Sequence, residues 1–314
     1  MGKFIVLDVV FYASSLNYDQ GSGNIQELKK ITKWDGKQYT FVSRYALRYS
    51  ILHHAHSLFG EKWPLAGKEQ LKLENGGVVQ ANGDAKELVK NFPEFDFFGY
   101  MMTKSGQGAD TRPAVAALSH AISLVPFNYD SHFNANLDVR RRSGNSGSNP
   151  FTIEEHYSYY IYSVVIDLNR LGTTDGTDIV DDSKKVERIE QLMNTILTLK
   201  RQIKGRVEDL APKLMVVGLY NETPYKSFKD KIALANEYEE EITQTEEKIE
   251  GGTKIFRRIV KTNKPRFEVY DLGASETYDV PRLITKVSEF SKKDGGKDGG
   301  LLFYKDAEIE VGGR

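Results

Sequence analysis

Apolar positions along this chain change period several times. Residues Lys3–Ala13 run β-branched and aromatic, which predicts a strand. Over Ser43–Phe59 the period becomes helical: Leu47, Ile51, Ala55 and Leu58 recur on one face, Ser43 can cap the start and Gly60 ends it. Gly60–Pro93 reads as irregular, with GG, NG and WP punctuation. Phe95–Thr103 and Pro113–Pro126 read as strand-rich, and Phe127–Asn149 as a loop. In the strand predicted over Glu155–Leu168, Tyr157, Tyr159, Ile161, Ser163 and Val165 face one side. Tyr160, Tyr162, Val164 and Ile166 face the other. Both sides are largely apolar, as in a central strand covered on each face. Asp182–Ile203 predicts a second helix with Val186, Ile189, Met193, Ile196, Leu199 and Ile203 as its stripe. Lys213–Tyr220 reads as a short buried strand, Lys229–Ile249 as a highly charged helix before a Gly251–Gly252 turn, Ser291–Gly300 as a turn or linker, and Leu301–Tyr304 as a strand.

Without its insertions the order is strand, helix, strand, strand, helix, strand. That is the α+β, ferredoxin-like pattern shared by RNA-recognition domains. Two long insertions decorate it, Pro126–Pro150 and Asn221–Pro265. The hexamer and octamer signatures of RNA-recognition sheets are absent, and FFGYMMT at Phe97–Thr103 is a partial echo. Binding is therefore expected on helix and insertions rather than on the sheet face.

Composition narrows the chemistry. The 314 residues contain no cysteine, which excludes disulfides, thiolate metal sites and cysteine nucleophiles and fits a reducing cytoplasm. The N-terminal run lacks a signal-peptide cleavage pattern, and no apolar stretch approaches membrane-span length. Net charge is −1, but Glu237–Glu250 alone carries −6, which leaves +5 on the remainder. Basic residues cluster at Lys29, Lys30, Lys33 and Lys37; at Arg44 and Arg48; at Arg140, Arg141 and Arg142; and at Arg257, Arg258, Lys261, Lys264 and Arg266. Clusters of this kind can form a basic stripe for a polyanion.

Candidate contacts follow from spacing. Arg44 and Arg48, four apart, share one helix face and can bridge neighbouring phosphates. Ser43 and the amides at the helix start can add anion contacts. The loop ahead of the tyrosine strand joins apolar tips, Phe133 and Leu137, to the arginines 140–142 and to a Gly/Ser/Asn tract. That is the build of a nucleic-acid clamp. His132 sits in the same loop. His53 and His56 are one turn apart, without a third ligand at a recognised spacing. Asp8, Asp19 and Asp35 are read near the first strand–helix connection, where an aspartate can act as a base or hold a metal. No paired-carboxylate pattern supports that chemistry, and Asp35, in WDGK, reads as a tight turn. The glycines at Gly21–Gly23 and Gly106–Gly108 lack a phosphate-loop signature.

The segments FVSRYALRYSIL, FDFFGYMMTK, RPAVAALSHAISLVPF and RRSGNSGSNPFTIEEHYSYYIYSVVIDLNRLG, in this order, resemble the DevR-type branch of the CRISPR Cas-seven proteins. These are the backbone subunits of type I Cascade complexes. The resemblance runs from Phe4 to about Tyr220. It implies a ferredoxin-like palm over residues 1–220, a finger insertion at about 60–94 and a thumb at about 127–155. Residues 221–265 would then be a charged, partly helical insertion, and 266–314 a C-terminal segment packing back on the palm.

It also implies roles. Copies of the chain would polymerise along guide RNA in the cytoplasm, beside other Cascade subunits and away from any membrane, and present the guide for pairing with target DNA. Ser43, Arg44 and Arg48 would grip guide phosphates, joined by Lys104, Arg112, Arg140, Arg141 and Arg142. His132, Phe133 and Leu137 would displace a base, and Met101 or Met102 would support it. No catalytic residue, metal or cofactor is implied. Two alternatives are an RNA-cutting, metal-dependent subunit using Asp19 or Asp35, and a DNA-binding transcriptional regulator, for which no helix-turn-helix pattern is visible.

Overall fold

The computed structural model describes residues 2–14, 16–74, 77–104, 108–144, 150–222, 224–235, 240–249, 252–261, 265–270, 276–293, 295 and 299–313; of 104, 240–249, 252–261 and 313 it describes the backbone only. Helices and mostly antiparallel strands make up the fold. The main sheet has eight strands: β1 (Lys3–Ser14), β2 (Lys30–Thr32), β3 (Gln38–Val42), β4 (Ala116–Leu118), β5 (Ala121–Ser123), β6 (Tyr157–Asp167), β7 (Leu214–Asn221) and β8 (Gly300–Lys305). Their spatial order is β8-β7-β1-β6-β5-β3-β2, with β4 beside β6 as well. The helices are α1 (Arg44–Phe59), α2 (Ala85–Asn91), α3 (Pro93–Phe98), α4 (Leu137–Arg142), α5 (Asp182–Leu197) and α6 (Val280–Ser291).

Alternation on the central strands separates two cores. Ile5, Leu7, Val9 and Phe11 of β1 and Tyr160, Tyr162, Val164 and Ile166 of β6 face α1, α5 and α6, meeting Leu47, Ile51, Ile189, Met193 and Leu283. Val10, Ile161, Leu214 and Val216 face the other way, onto Phe228, Ile232, Phe267, Val269 and Ile309. Each fully buried aliphatic or aromatic side chain contributes roughly 1.5–3 kcal/mol. Register is fixed from Phe4↔Asp167 to Ser14↔Tyr157. A one-residue slip would exchange the two cores' side chains, so the strand is strongly specified. The second core thus covers the sheet face opposite the helices.

Several expectations need correction. Residues 95–98 are helical rather than extended. Pro93 at the helix start and Glu94 and Asp96 in the first turn favour a helix, and Gly99, at φ 71°, ends it before the strand Tyr100–Lys104. Helix α5 stops at Leu197, short of Ile203. Lys204 and Gly205 take positive φ, 49° and 79°, and close a two-residue hairpin between Lys200–Ile203 and Arg206–Asp209. In place of a helix over Lys229–Ile249 there is a short 3-10 turn at Lys229–Lys231, a strand Ile232–Ala235 and one limb of a hairpin, Glu240–Ile249 with Gly252–Lys261. The β-branched limb containing Ile255, Ile259 and Val260 supplies the ladder partner, in a register that sets Glu240 opposite Lys261 and Glu247 opposite Lys254. Helix α6 was not foreseen in the C-terminal segment. Asp279 caps it and Leu283, Val287 and Phe290 bury its inner face.

The segment 127–149 is more than a loop. Ser131–Ala135 pairs with Pro150–Glu154 and leads into α4, which together form an arm; residues 145–149, most of the Gly/Ser/Asn tract, lie outside the described residues. Asp8 is not on a connection. It lies in the middle of β1, 1% exposed, and accepts hydrogen bonds from Ser163, Ser227 and the amide of Phe228. Among the described residues no helix is long and apolar enough to cross a membrane.

Three histidines tie stability to pH. His54, His120 and His156 are each held below the ordinary 6.5, chiefly by burial. Their neutral forms are bonded in the fold, His156 Nδ1 to Thr40 Oγ1 at 2.7 Å and His120 Nδ1 to the amide of Arg44 at 2.9 Å. A depressed folded pKa means the stability is fully present above 6.5 and is lost as pH falls from there through the folded values. The melting temperature should therefore drop on acidification below 6.5, and His156→Gln should flatten that slope. An unchanged pH profile in the variant would exclude His156 as a contributor.

Candidate nucleic-acid interface

Helix α1 starts directly from strand β3. Ser43 is its N-cap, with extended backbone, and its Oγ accepts the amide of Ala46 at 3.2 Å. The amide of Leu47 bonds the Ser43 carbonyl, and His120 Nδ1 takes that of Arg44. The helix start is thus largely satisfied by the protein itself, which corrects the expectation of free amides for an anion. Any anion contact at this end of the helix is left to the side chains of Arg44 and Arg48.

Those side chains border one cleft. Arg44 is exposed, donates to the Tyr45 hydroxyl at 3.0 Å and lies 5.0 Å from the Tyr45 ring centroid. Arg48 is half-buried with its guanidinium 5.4 Å from the Phe98 ring centroid. Burial lowers its pKa, partly offset by Glu94, and a guanidinium remains charged throughout the physiological range. With Ala114, Ala116, Ala117 and Leu118 as its floor, the cleft measures about 280 Å³. A cationic rim over a small-residue floor lets a sugar–phosphate backbone come close.

The arm is the second component. Phe133 is 72% exposed and Leu137 46%. Helix α4 has no buried residue and carries Arg140, Arg141 and Arg142 in its last turn. Arg142 pairs with Asp138 at 2.9 Å, an exposed i,i+4 contact worth little. His132 lies 3.4 Å from Asp130. The root of the arm is firmly held. Glu154, 4% exposed, accepts from the amide of Leu28 at 2.7 Å and from Lys30 Nζ at 2.7 and 2.8 Å, and Glu155 pairs with Arg206 at 3.0 Å. Lys30 belongs to β2 and α1 follows β3, so arm and helix are mounted on the same sheet edge.

Two of the expected contacts point inward. Arg112 donates to Asp96 at 2.6 Å and to the carbonyls of Thr173 and Arg170, so its donors are spent inside the fold. The buried carboxylate of Asp96, sixteen residues away, has claimed it. Met102 is 3% exposed among Leu88 and Phe95, whereas Met101, its strand neighbour, is 44% exposed; only Met101 can support a ligand. The side chain of Lys104 and the loop residues 105–107, with Gly106, lie outside the described residues.

The aspartates raised for metal chemistry are engaged by protein donors. Asp19 pairs with Lys29 at 2.9 Å, and Asp35 accepts from the Tyr39 hydroxyl at 2.7 Å and the amide of Lys37 at 3.0 Å; these bonds hold both carboxyls below the usual range. His53 packs on Tyr49 and His56 bonds the carbonyl of Trp63 at 2.8 Å. Sequence reasoning missed the Phe98 support under Arg48 and the tie from His120 to α1, because both depend on contacts distant in sequence.

Comparison with known proteins agrees with this architecture. Residues 5–243 match the family described as CRISPR-associated negative auto-regulator DevR/Csa2. Over 154 residues the chain is 27% identical to the CRISPR-associated protein Cas7/Cst2/DevR of Myxococcus xanthus (strain DK1622), covering 46% of this chain and 50% of that protein. The chain thus spans about half the length of this curated relative. A chain of a solved CRISPR RNA-guided surveillance complex, pre-nicking, is similar in fold, with a TM-score of 0.52 at 12% identity over 73% of this chain and 81% of that one. The family match extends over well more than half of the sequence, and this chain belongs to the DevR/Csa2 family of CRISPR-associated proteins.

Proposed function

We propose that this protein is a non-catalytic scaffold that binds guide RNA, polymerises along it within a type I CRISPR surveillance complex and presents it for pairing with target DNA. The observation that carries the reading is the cationic cleft of Arg44 and Arg48, mounted on the same sheet edge as an arm bearing exposed Phe133 and Leu137 and three arginines. The strand order β7-β1-β6-β5, with α1 and α5 packed on one face, supports a ferredoxin-like palm. Residues 60–94 act as its finger insertion and 127–155 as its thumb. The covered second face supports binding through helix and arm. Protein contacts go to backbone and shape, and sequence is read by base pairing with the target.

Arg44→Ala combined with Arg48→Ala tests this. Each charge-assisted phosphate contact is worth about 1.5–3 kcal/mol, so RNA affinity should fall about tenfold or more per arginine. The salt slope should flatten by about 0.7 for each phosphate that is no longer neutralised. Melting temperature should hardly change. Wild-type affinity and slope in a salt titration would remove α1 from the interface.

A further inference from the structure

Trp34 stands 97% exposed on the turn between β2 and β3. An indole in water forgoes the stabilisation that burial would give it. The turn is nevertheless tightly built. The amide of Lys33 donates to the Lys37 carbonyl at 3.1 Å, that of Gly36 to the Lys33 carbonyl at 3.0 Å, and Gly36 takes φ 74°. Asp35 accepts from the Lys37 amide and the Tyr39 hydroxyl. The tryptophan is thus presented on a fixed mount.

A run of cations leads away from this mount. Lys33 Nζ lies 3.9 Å from the Tyr39 ring centroid. Lys229, on the segment pinned to buried Asp8, reaches over to bond Ser119 Oγ at 3.2 Å and the His120 carbonyl at 3.4 Å. His120 is in turn bonded to the start of α1. Lys229 is close enough to Lys33 for its charge to be felt there, and burial lowers both pKa values, with Asp230 and Asp8 acting against it at Lys229. Asp35 and Asp230 lie nearby, but among the described residues neither forms an ion pair with Lys33 or Lys229, and Asp35 is spent on the turn. Lys33, Lys229, Arg44 and Arg48 therefore form a cationic succession with His120 at its middle, and the exposed indole stands at its far end.

We infer that the Lys33–Lys37 turn is a second contact for single-stranded RNA, in which Trp34 stacks on a nucleobase while Lys33 and Lys229 take flanking phosphates, prolonging the Arg44–Arg48 cleft. Stacking of this kind accepts any base, since every base has a π-face. The inference rests on the RNA-binding reading above and adds to it a site outside the helix and the arm.

The test exploits the two tryptophans. Trp63 is fully buried against Phe97, so Trp34 is the accessible emitter. Oligouridine is titrated into wild type and Trp34→Ala, reading tryptophan fluorescence and the anisotropy of a fluorescein-labelled oligouridine. Wild-type emission should be quenched, the variant's should not change, and its affinity should fall roughly 5- to 150-fold. Lys33→Ala and Lys229→Ala should each lower the salt slope by about 0.7. Unaltered affinity in Trp34→Ala, with the Arg44/Arg48 double variant still impaired, overturns this site and leaves the scaffold reading standing. A changed sedimentation of RNA-free Trp34→Ala with RNA affinity intact makes the turn a contact between copies and also overturns it. Wild-type affinity in all these variants overturns the scaffold reading as well.

Discussion

Asp96→Ala should lower the melting temperature by roughly 6–20 °C. Asp96 is fully buried on α3 and bonds Arg112 Nη2 and Arg188 Nη1, each at 2.6 Å, and the amide of Gly172 at 2.9 Å. Arg188 is itself 1% exposed and also holds the carbonyls of Val89 and Lys90. One carboxylate thus pairs with two guanidinium groups and joins α3, α5 and the segment after β6. Removing one partner of a buried ion pair costs about 3–5 kcal/mol, because the remaining charge is left uncompensated. At about 2–4 °C per kcal/mol that gives the stated range. Asp96→Asn keeps an acceptor but not the charge and should lie between. Because α3 carries Phe98 beneath Arg48, RNA affinity should fall alongside stability. A thermal midpoint equal to wild type by circular dichroism would show that the node does not hold the fold.

Removing Asp130–Asn149 should leave a folded subunit that no longer assembles on RNA. The residues removed include the strand Ser131–Ala135 and all of α4, whose side chains are exposed or half-buried. Glu154 keeps its bonds to Leu28 and Lys30, and the parallel pairing of Thr152 and Ile153 with Ile25 and Gln26 remains. Under the proposed function, the deletion would take away the reach from one copy to the next. Linked contacts of this kind raise overall affinity by about 10²–10⁴-fold, so cooperative assembly should vanish while single-copy binding through α1 persists. Phe133→Ala with Leu137→Ala, which keeps the arm, should weaken assembly less. Ordered filaments of the deletion variant in electron micrographs would mean that the arm is not a thumb.

What could be read in the sequence depended on how local its cause was. Helix α1 was legible because Ser43, the Leu47–Ile51–Ala55 stripe and Gly60 all act within one element. Strand β6 was legible because its alternation has two apolar faces, and the structure buries each in a separate core. The hairpin Glu240–Ile249/Gly252–Lys261 was not, since glutamates in a run favour a helix until a β-branched partner across a tight turn offers a ladder. Arg112 read as a phosphate ligand because its claimant, Asp96, is identified only by folding. Lys229 joined the cationic succession for the same reason: its place is set by Asp8, more than two hundred residues away. Trp34 did carry a signal, a tryptophan between lysines in a WDG turn.

The most direct measurement is to isolate the protein under native conditions from its host and sequence the nucleic acid that accompanies it. A multimer carrying discrete short RNAs that share a common end is the expected result. Protein that comes away free of RNA, or carrying only duplex DNA of a defined site, would contradict the account.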